Sequence, residues 1–162
     1  MINNNIQIET PDQYRMTVLS MLQQASHCID IFSQNLEPEI LNSKEVEHSI
    51  LRLAKKHPNT QIRILVQDSD NAVHNGHCLI RLAQTLTSSI FIHTPSAQYK
   101  DESHSFILVD RTAFIHRVSA SNRNYNATAS FHAPRDTAKL IELFDQIWDH
   151  SSRDSQTRRL YI

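Results

Sequence analysis

Glycine is almost missing from this chain of 162 residues: there is one, Gly76. Loops that cradle a phosphate bring backbone N–H groups close to the anion, and they need several glycines to do so. A Walker-type or dinucleotide-type site is therefore excluded. Cysteine is nearly as scarce. Cys28 and Cys78 form no CxxC spacing, so the common zinc and dithiol motifs are absent; two structural thiols in a reducing compartment is the plainer reading, a disulfide the other. No apolar run approaches the roughly 18–20 residues that span a bilayer. Met1-Ile-Asn-Asn-Asn5 lacks the basic and apolar regions of a signal peptide. A cytoplasmic protein with no membrane partner is the expectation. An excess of either charge is also lacking. The formal net charge is −1, so no global basic field advertises a nucleic acid.

What is present suits one soluble domain with a real core: 40% hydrophobic and 20% charged residues over 162 positions. The expected division is a single domain over 1–162, with 1–9 and 151–162 as terminal extensions and the apolar end Leu160-Tyr-Ile162 docking onto the body or another subunit. Ten histidines make the charge respond to pH below neutrality. Residues 12–26 place Tyr14, Val18, Leu22 and Ala25 on one helical stripe, after a Thr10-Pro11 start. Cys28-Ile-Asp-Ile-Phe-Ser33 alternates as a strand. Leu36 to Asn42 reads as a loop or single turn, and Ser43 caps a helix carrying Val46, Ile50, Leu53 and Ala54. Gln61 to Val66 is a strand, 68–71 a polar loop, 77–86 a helix and Ile90-Phe-Ile92 a strand. Ser105 to Val109 and Ala113 to Ile115 form a hairpin, Thr128 to Phe131 a further strand. A last helix buries Leu140, Ile141, Phe144, Ile147 and Trp148. This order predicts an α/β domain with a mixed β-sheet flanked by helices.

The hairpin carries the chemistry. Ser103-His-Ser-Phe-Ile-Leu-Val-Asp110 resembles the HxKxxxxD signature of the phospholipase D-like superfamily, with Ser103 in the His position, Ser105 in the Lys position and Asp110 as the Asp. Ser119-Ala-Ser-Asn122 is a loose echo of that family's Gly-Ser-x-Asn segment, and Phe144-Asp-Gln-Ile-Trp148 is similar to its closing helix. The resemblance covers roughly residues 12–150. A second register, slipped by one residue, would put His104 at the His position. It would also turn every side chain to the other face, leaving Phe106 and Leu108 to line a pocket.

The resemblance implies a phospholipase D-like half-unit that pairs face to face with a second copy, a homodimer through residues 103–122. In that family a His attacks phosphorus and a Lys stabilises the transferring phosphoryl group. A serine at each position supplies neither the nucleophile nor the charge. The expectation is a degenerate, non-catalytic domain that binds a phosphate-bearing ligand, a nucleic acid or a protein partner, with no cofactor and no metal. Ser103, Ser105, Arg117, Asn122 and His116 are the candidate contacts; Arg117 offers a fork of donors and His116 can carry charge. The alternatives are a metal-independent phosphodiesterase or nuclease using displaced histidines, His104 and His116, or a pure interaction module. Tyr125 would stack on a ligand ring or cover the core edge. His74-Asn-Gly-His77, after Asp68 and Asp70, is the nearest approach to a metal-ligand spacing, but no third ligand is set, and a solvated loop is the plainer reading.

Overall fold

The computed structural model describes residues 5–120 and 125–157. Among them the chain runs β1 (Ile6–Ile8), α1 (Pro11–Gln24), β2 (Cys28–Ser33), α2 (Pro38–Leu41), α3 (Lys44–Lys56), β3 (Gln61–Val66), α4 (Asp70–His74), α5 (Cys78–Thr85), β4 (Ile90–Thr94), β5 (Ser105–Val109), β6 (Ala113–Arg117), β7 (Ala127–Ser130), α6 (Pro134–Asp149) and β8 (Ser152–Arg153). The strands form one mixed sheet in the order β1-β7-β6-β5-β2-β3-β4-β8. β2, β3 and β4 are parallel to one another, and every other pairing is antiparallel.

Local signals place the helices. The Thr10 hydroxyl accepts from Gln13 N–H at the start of α1, and Ser43 does the same for Val46 at the start of α3. Glu45 and Glu47 in the first turn of α3, with Lys55 and Lys56 in its last, complement its dipole. At the start of α5 an imidazole does the capping. His77 Nδ1 accepts from Leu79 N–H at 3.1 Å, which leaves the proton on Nε2 to donate to Leu36 O at 2.9 Å. Two cores result. Tyr14, Val18, Leu22, Ile50, Leu53 and Leu79 pack with Ile31, Ile64, Ile107 and Ile115 on one face of the sheet. Phe32, Leu65, Phe106, Leu108 and Phe114 pack against Ile141, Phe144 and Ile147 of α6 on the other.

Three details differ from the expectation. Residues 68–71 are not simply a loop, because the one-turn helix α4 starts at Asp70. The segments expected as extensions supply both edge strands. In β1, Ile8 is buried against the core, and the Gln13 carboxamide donates to Gln7 O and accepts from Glu9 N–H, so part of that edge is already occupied. Finally, Asp110 is a structural tie. Asp110 and Arg111 take left-handed backbone (φ 54° and 61°), at about 1–2 kcal/mol each for residues with a Cβ. The Asp110 carboxylate offsets this by accepting from the backbone N–H groups of Ser26, His27 and Cys28 at 2.9, 2.7 and 3.1 Å. It thereby fastens the hairpin to the turn between α1 and β2.

Candidate functional site

The pocket implied by the resemblance lies at the carboxyl end of β2, where open α/β sheets present their ligand crevices. The β5–β6 register sets Ser105 directly opposite Arg117. Strand alternation then points both toward α1, on the face of Ile107 and Ile115. Ser105 is 3% exposed and its hydroxyl donates to Phe32 O at 3.2 Å. Ser103, two residues before the strand pair begins, is exposed; its hydroxyl reaches Val118 O at 3.4 Å.

Arg117 occupies the space in front of Ser105. It is 1% exposed. Nη1 donates to Glu37 Oε1 at 2.8 Å and Nη2 to Ala120 O at 2.8 Å. The guanidinium carbon lies 4.2 Å from the Tyr125 ring centre and 5.4 Å from that of Tyr14, a double cation–π arrangement. The two rings are themselves 5.1 Å apart. Burial pushes the Tyr14 hydroxyl up to about 12, with the Glu37 charge adding to the effect and Arg117 opposing it. Tyr125 is raised as well, by burial and then by its contact with Glu37. The expected anion clamp is thus turned inward. Its partner is an internal carboxylate from the loop after β2, and the side chain has almost no solvent face.

Glu37 and Tyr14 were not among the sequence candidates. A partial signal existed: a hairpin centred on Arg111 pairs 105 with 117 by arithmetic alone. Nothing in the sequence names Glu37, which lies 80 positions from Arg117.

His116 sits elsewhere. It alternates with Arg117 and faces the α6 side, where Phe106 meets its ring edge-on at 6.1 Å. Its Nε2 lies 2.7 Å from His104 Nδ1, and Glu102 Oε1 lies 3.5 Å from His104 Nε2. Burial lowers the His116 pKa, and the neighbouring His104 lowers it further. The two histidines are brought together, but on the face opposite Ser105 and Arg117. Beside His116, an open groove of about 590 Å³ is lined by Gln7, Glu9, Val118, Ser119, Asn126 and Thr128. Val118 is 64% exposed. Asn122 lies outside the described residues, as does the end Leu160-Tyr-Ile162.

The other candidates dissolve into structure. His77 caps α5 and cannot turn either nitrogen to a metal while it does so. Among the described residues no group of three or more His, Cys, Asp or Glu side chains is arranged to hold a metal ion. Cys28 and Cys78 are free thiols, and burial raises Cys78 to about 11. Among the described residues no helix is long and apolar enough to cross a membrane.

Comparison with known proteins agrees with this geometry. A family model described as "Domain of unknown function (DUF7931)" matches residues 10–160. No curated protein matches at a significant level. Among solved structures, Nuc from Salmonella typhimurium, a phospholipase D family member, superposes with a TM-score of 0.68 at 16% identity, covering 96% of this chain and 99% of its own. NucT from Helicobacter pylori gives 0.66 at 9% identity, covering 93% and 99%. TrmBL2, an archaeal chromatin protein with a novel mode of DNA binding, gives 0.68 at 12% identity; 94% of this chain matches 54% of that one. These likenesses establish a phospholipase D-like fold.

Proposed function

The chain belongs to the family described as Domain of unknown function (DUF7931) and has the phospholipase D-like fold, and from that premise we propose that it is a non-catalytic member of the fold that works by binding a protein partner, in the first place a second copy of itself, across the surface of residues 103–122. The observation that carries this reading is the Arg117–Glu37 pair. In the register of the resemblance, the positions of the attacking His and the charged Lys are Ser103 and Ser105. The space a phosphodiester would need is taken up by a guanidinium already bound to a carboxylate and covered by Tyr14 and Tyr125. An incoming phosphate would have to draw a buried guanidinium away from its carboxylate before it gained any contact, which is unfavourable.

Partner chemistry follows from what remains outside. The groove next to Val118 has Glu9 and, among its described lining residues, no Lys or Arg. A nucleic-acid backbone is held by neutralising phosphates with basic side chains, so the groove suits a protein surface better. Ser103, exposed and 3.4 Å from Val118 O, and His116 in the groove wall are the predicted contacts at the surface; Ser105 and Arg117 support it from inside. Asn122 completes the proposed set.

Two measurements test this. The purified chain should release no nitrophenol from bis(p-nitrophenyl) phosphate above the buffer rate. Turnover that Ser103→Ala abolishes would remove the non-catalytic reading. Sedimentation equilibrium should show a dimer that Val118→Glu dissociates. A wild-type chain that stays monomeric at 100 μM would remove self-association.

A further inference from the structure

Glu102, His104 and His116 are used neither by the filled pocket nor by the core. Glu102 and His104 lie in the segment entering β5, and His116 lies in β6. The ring planes of the histidines are 16° apart, with centroids 4.9 Å apart. Two imidazole nitrogens at 2.7 Å require one proton between them. With none, two lone pairs face each other; with two, two N–H donors collide. We propose that these three side chains form a proton-operated latch at the association face, closed when the histidine pair carries at most one extra proton and forced open when both rings become cations. The link to association rests on the reading of residues 103–122 given above; the latch itself rests on the geometry alone.

The neighbours set what a proton does at each ring. A cation on His104 is met on its Nε2 side by Glu102, and its Nδ1–H then makes a charge-assisted bond to His116 Nε2. The first proton therefore tightens the latch. A proton on His116, whose ring is packed against Phe106 and faces His104, is resisted by burial and by that neighbour, with Glu102 partly opposing. The charged groups facing the pair are Glu102 on His104 and Glu9 across the groove from His116. Thr128 and Gln7, on β7 and β1, complete that side and do not titrate.

What the latch holds is the mouth of the hairpin. The same segment is fastened by Ala120 N–H to Ser103 O at 2.8 Å and by the Gln34 carboxamide to Glu102 O at 2.8 Å. Between these ties, the histidine pair sets the spacing of residue 104 from the end of β6, and so the shape of the rim that carries Ser103 and Val118. Opening it in acid distorts the surface a second copy would meet.

Histidine-selective NMR of the full-length wild-type chain from pH 8 to 4.5 decides the matter. The expected result is a His116 step displaced below the ordinary histidine range. His104→Gln should raise that step toward the ordinary range. A His116 step unmoved by His104→Gln would overturn the latch. Sedimentation provides the separate arm: dimer affinity at least tenfold weaker at pH 5 than at pH 7.5, with that difference lost in His104→Gln. A dimer equally tight at both pH values would overturn the coupling. A chain monomeric at every pH would overturn the association reading, while the His116 titration still judges the latch.

Discussion

Two arginines in this fold are built alike and do different work. Arg117 on β6 and Arg63 on β3 each stack on two aromatic rings and each bind carboxylate. They lie on opposite faces of the sheet and toward opposite ends of its strands. Arg63 sits 4.8 Å from the Phe144 ring and 5.5 Å from Trp148, and donates to Asp30 at 2.8 Å and Asp145 at 2.9 Å. Its side chain is 17% exposed and Asp145 is 42% exposed. An open groove of about 420 Å³ reaches it, lined also by His27, Arg111 and Asp149. The Arg63 cluster straps α6 to the sheet at a wet edge. In the Arg117 cluster the guanidinium is the buried member, 1% exposed, and Glu37 keeps 18%. Arginine suits both tasks because its planar fork binds carboxylate while its face lies on a ring. Which member meets water separates them: at Arg117 the guanidinium is sealed while Glu37 keeps a solvent edge, and at Arg63 the guanidinium and Asp145 meet water while Asp30 is sealed.

Breaking each cluster in turn sharpens that contrast. Arg117→Met should be the most damaging change, lowering unfolding free energy by about 3–5 kcal/mol in urea titrations, since it empties a fully buried position between two aromatic rings and leaves the part-buried Glu37 without its charged donor. The double variant Glu37→Gln with Arg117→Met should recover a good part of that loss, because no lone charge is left behind. Arg63→Met should cost less, about 2–3 kcal/mol, as Asp145 simply rehydrates while Asp30, 3% exposed, loses its charged donor. Equal losses at the two sites would show that burial is not what distinguishes them. Asp145→Asn is expected to cost under about 1 kcal/mol, in keeping with a partly exposed pair.

The smallest effect is a pH slope set by histidines outside both ion-pair clusters. Burial lowers the pKa of His77, His93 and His116. The unfolded chain therefore binds protons at these rings near the ordinary value of about 6.5, before the folded chain does. Their contribution is complete above that value and is lost as the pH falls through it toward the lower folded values. The melting temperature should decline between pH 7.5 and 5.5, and His93→Gln should flatten part of the decline. A melting temperature that rises over this interval would contradict the sign.

The elements were legible because their signals are local. Cys28–Ser33 and Gln61–Val66 match the expected strands residue for residue, since alternation needs only neighbours in the chain. Thr10 and Ser43 announce their helices within four positions. The edge strands β1 and β8 escaped because strands of three and two residues carry no periodicity of their own; pairing with β7 and β4 makes them strands.

The site was half legible for the same reason. The sequence by itself determined the α/β class, the hairpin, and which side chains sit at positions 103, 105 and 117, all consequences of periodicity and spacing over a few residues. Only the tertiary structure decided that Arg117 meets Glu37 rather than solvent, and that His104 and His116 meet each other on the far face of the sheet. Charge complementarity has no period and no spacing. Any of the 17 acidic residues could have paired with Arg117, and the choice fell to Glu37 because the loop after β2 and the end of β6 converge on one point.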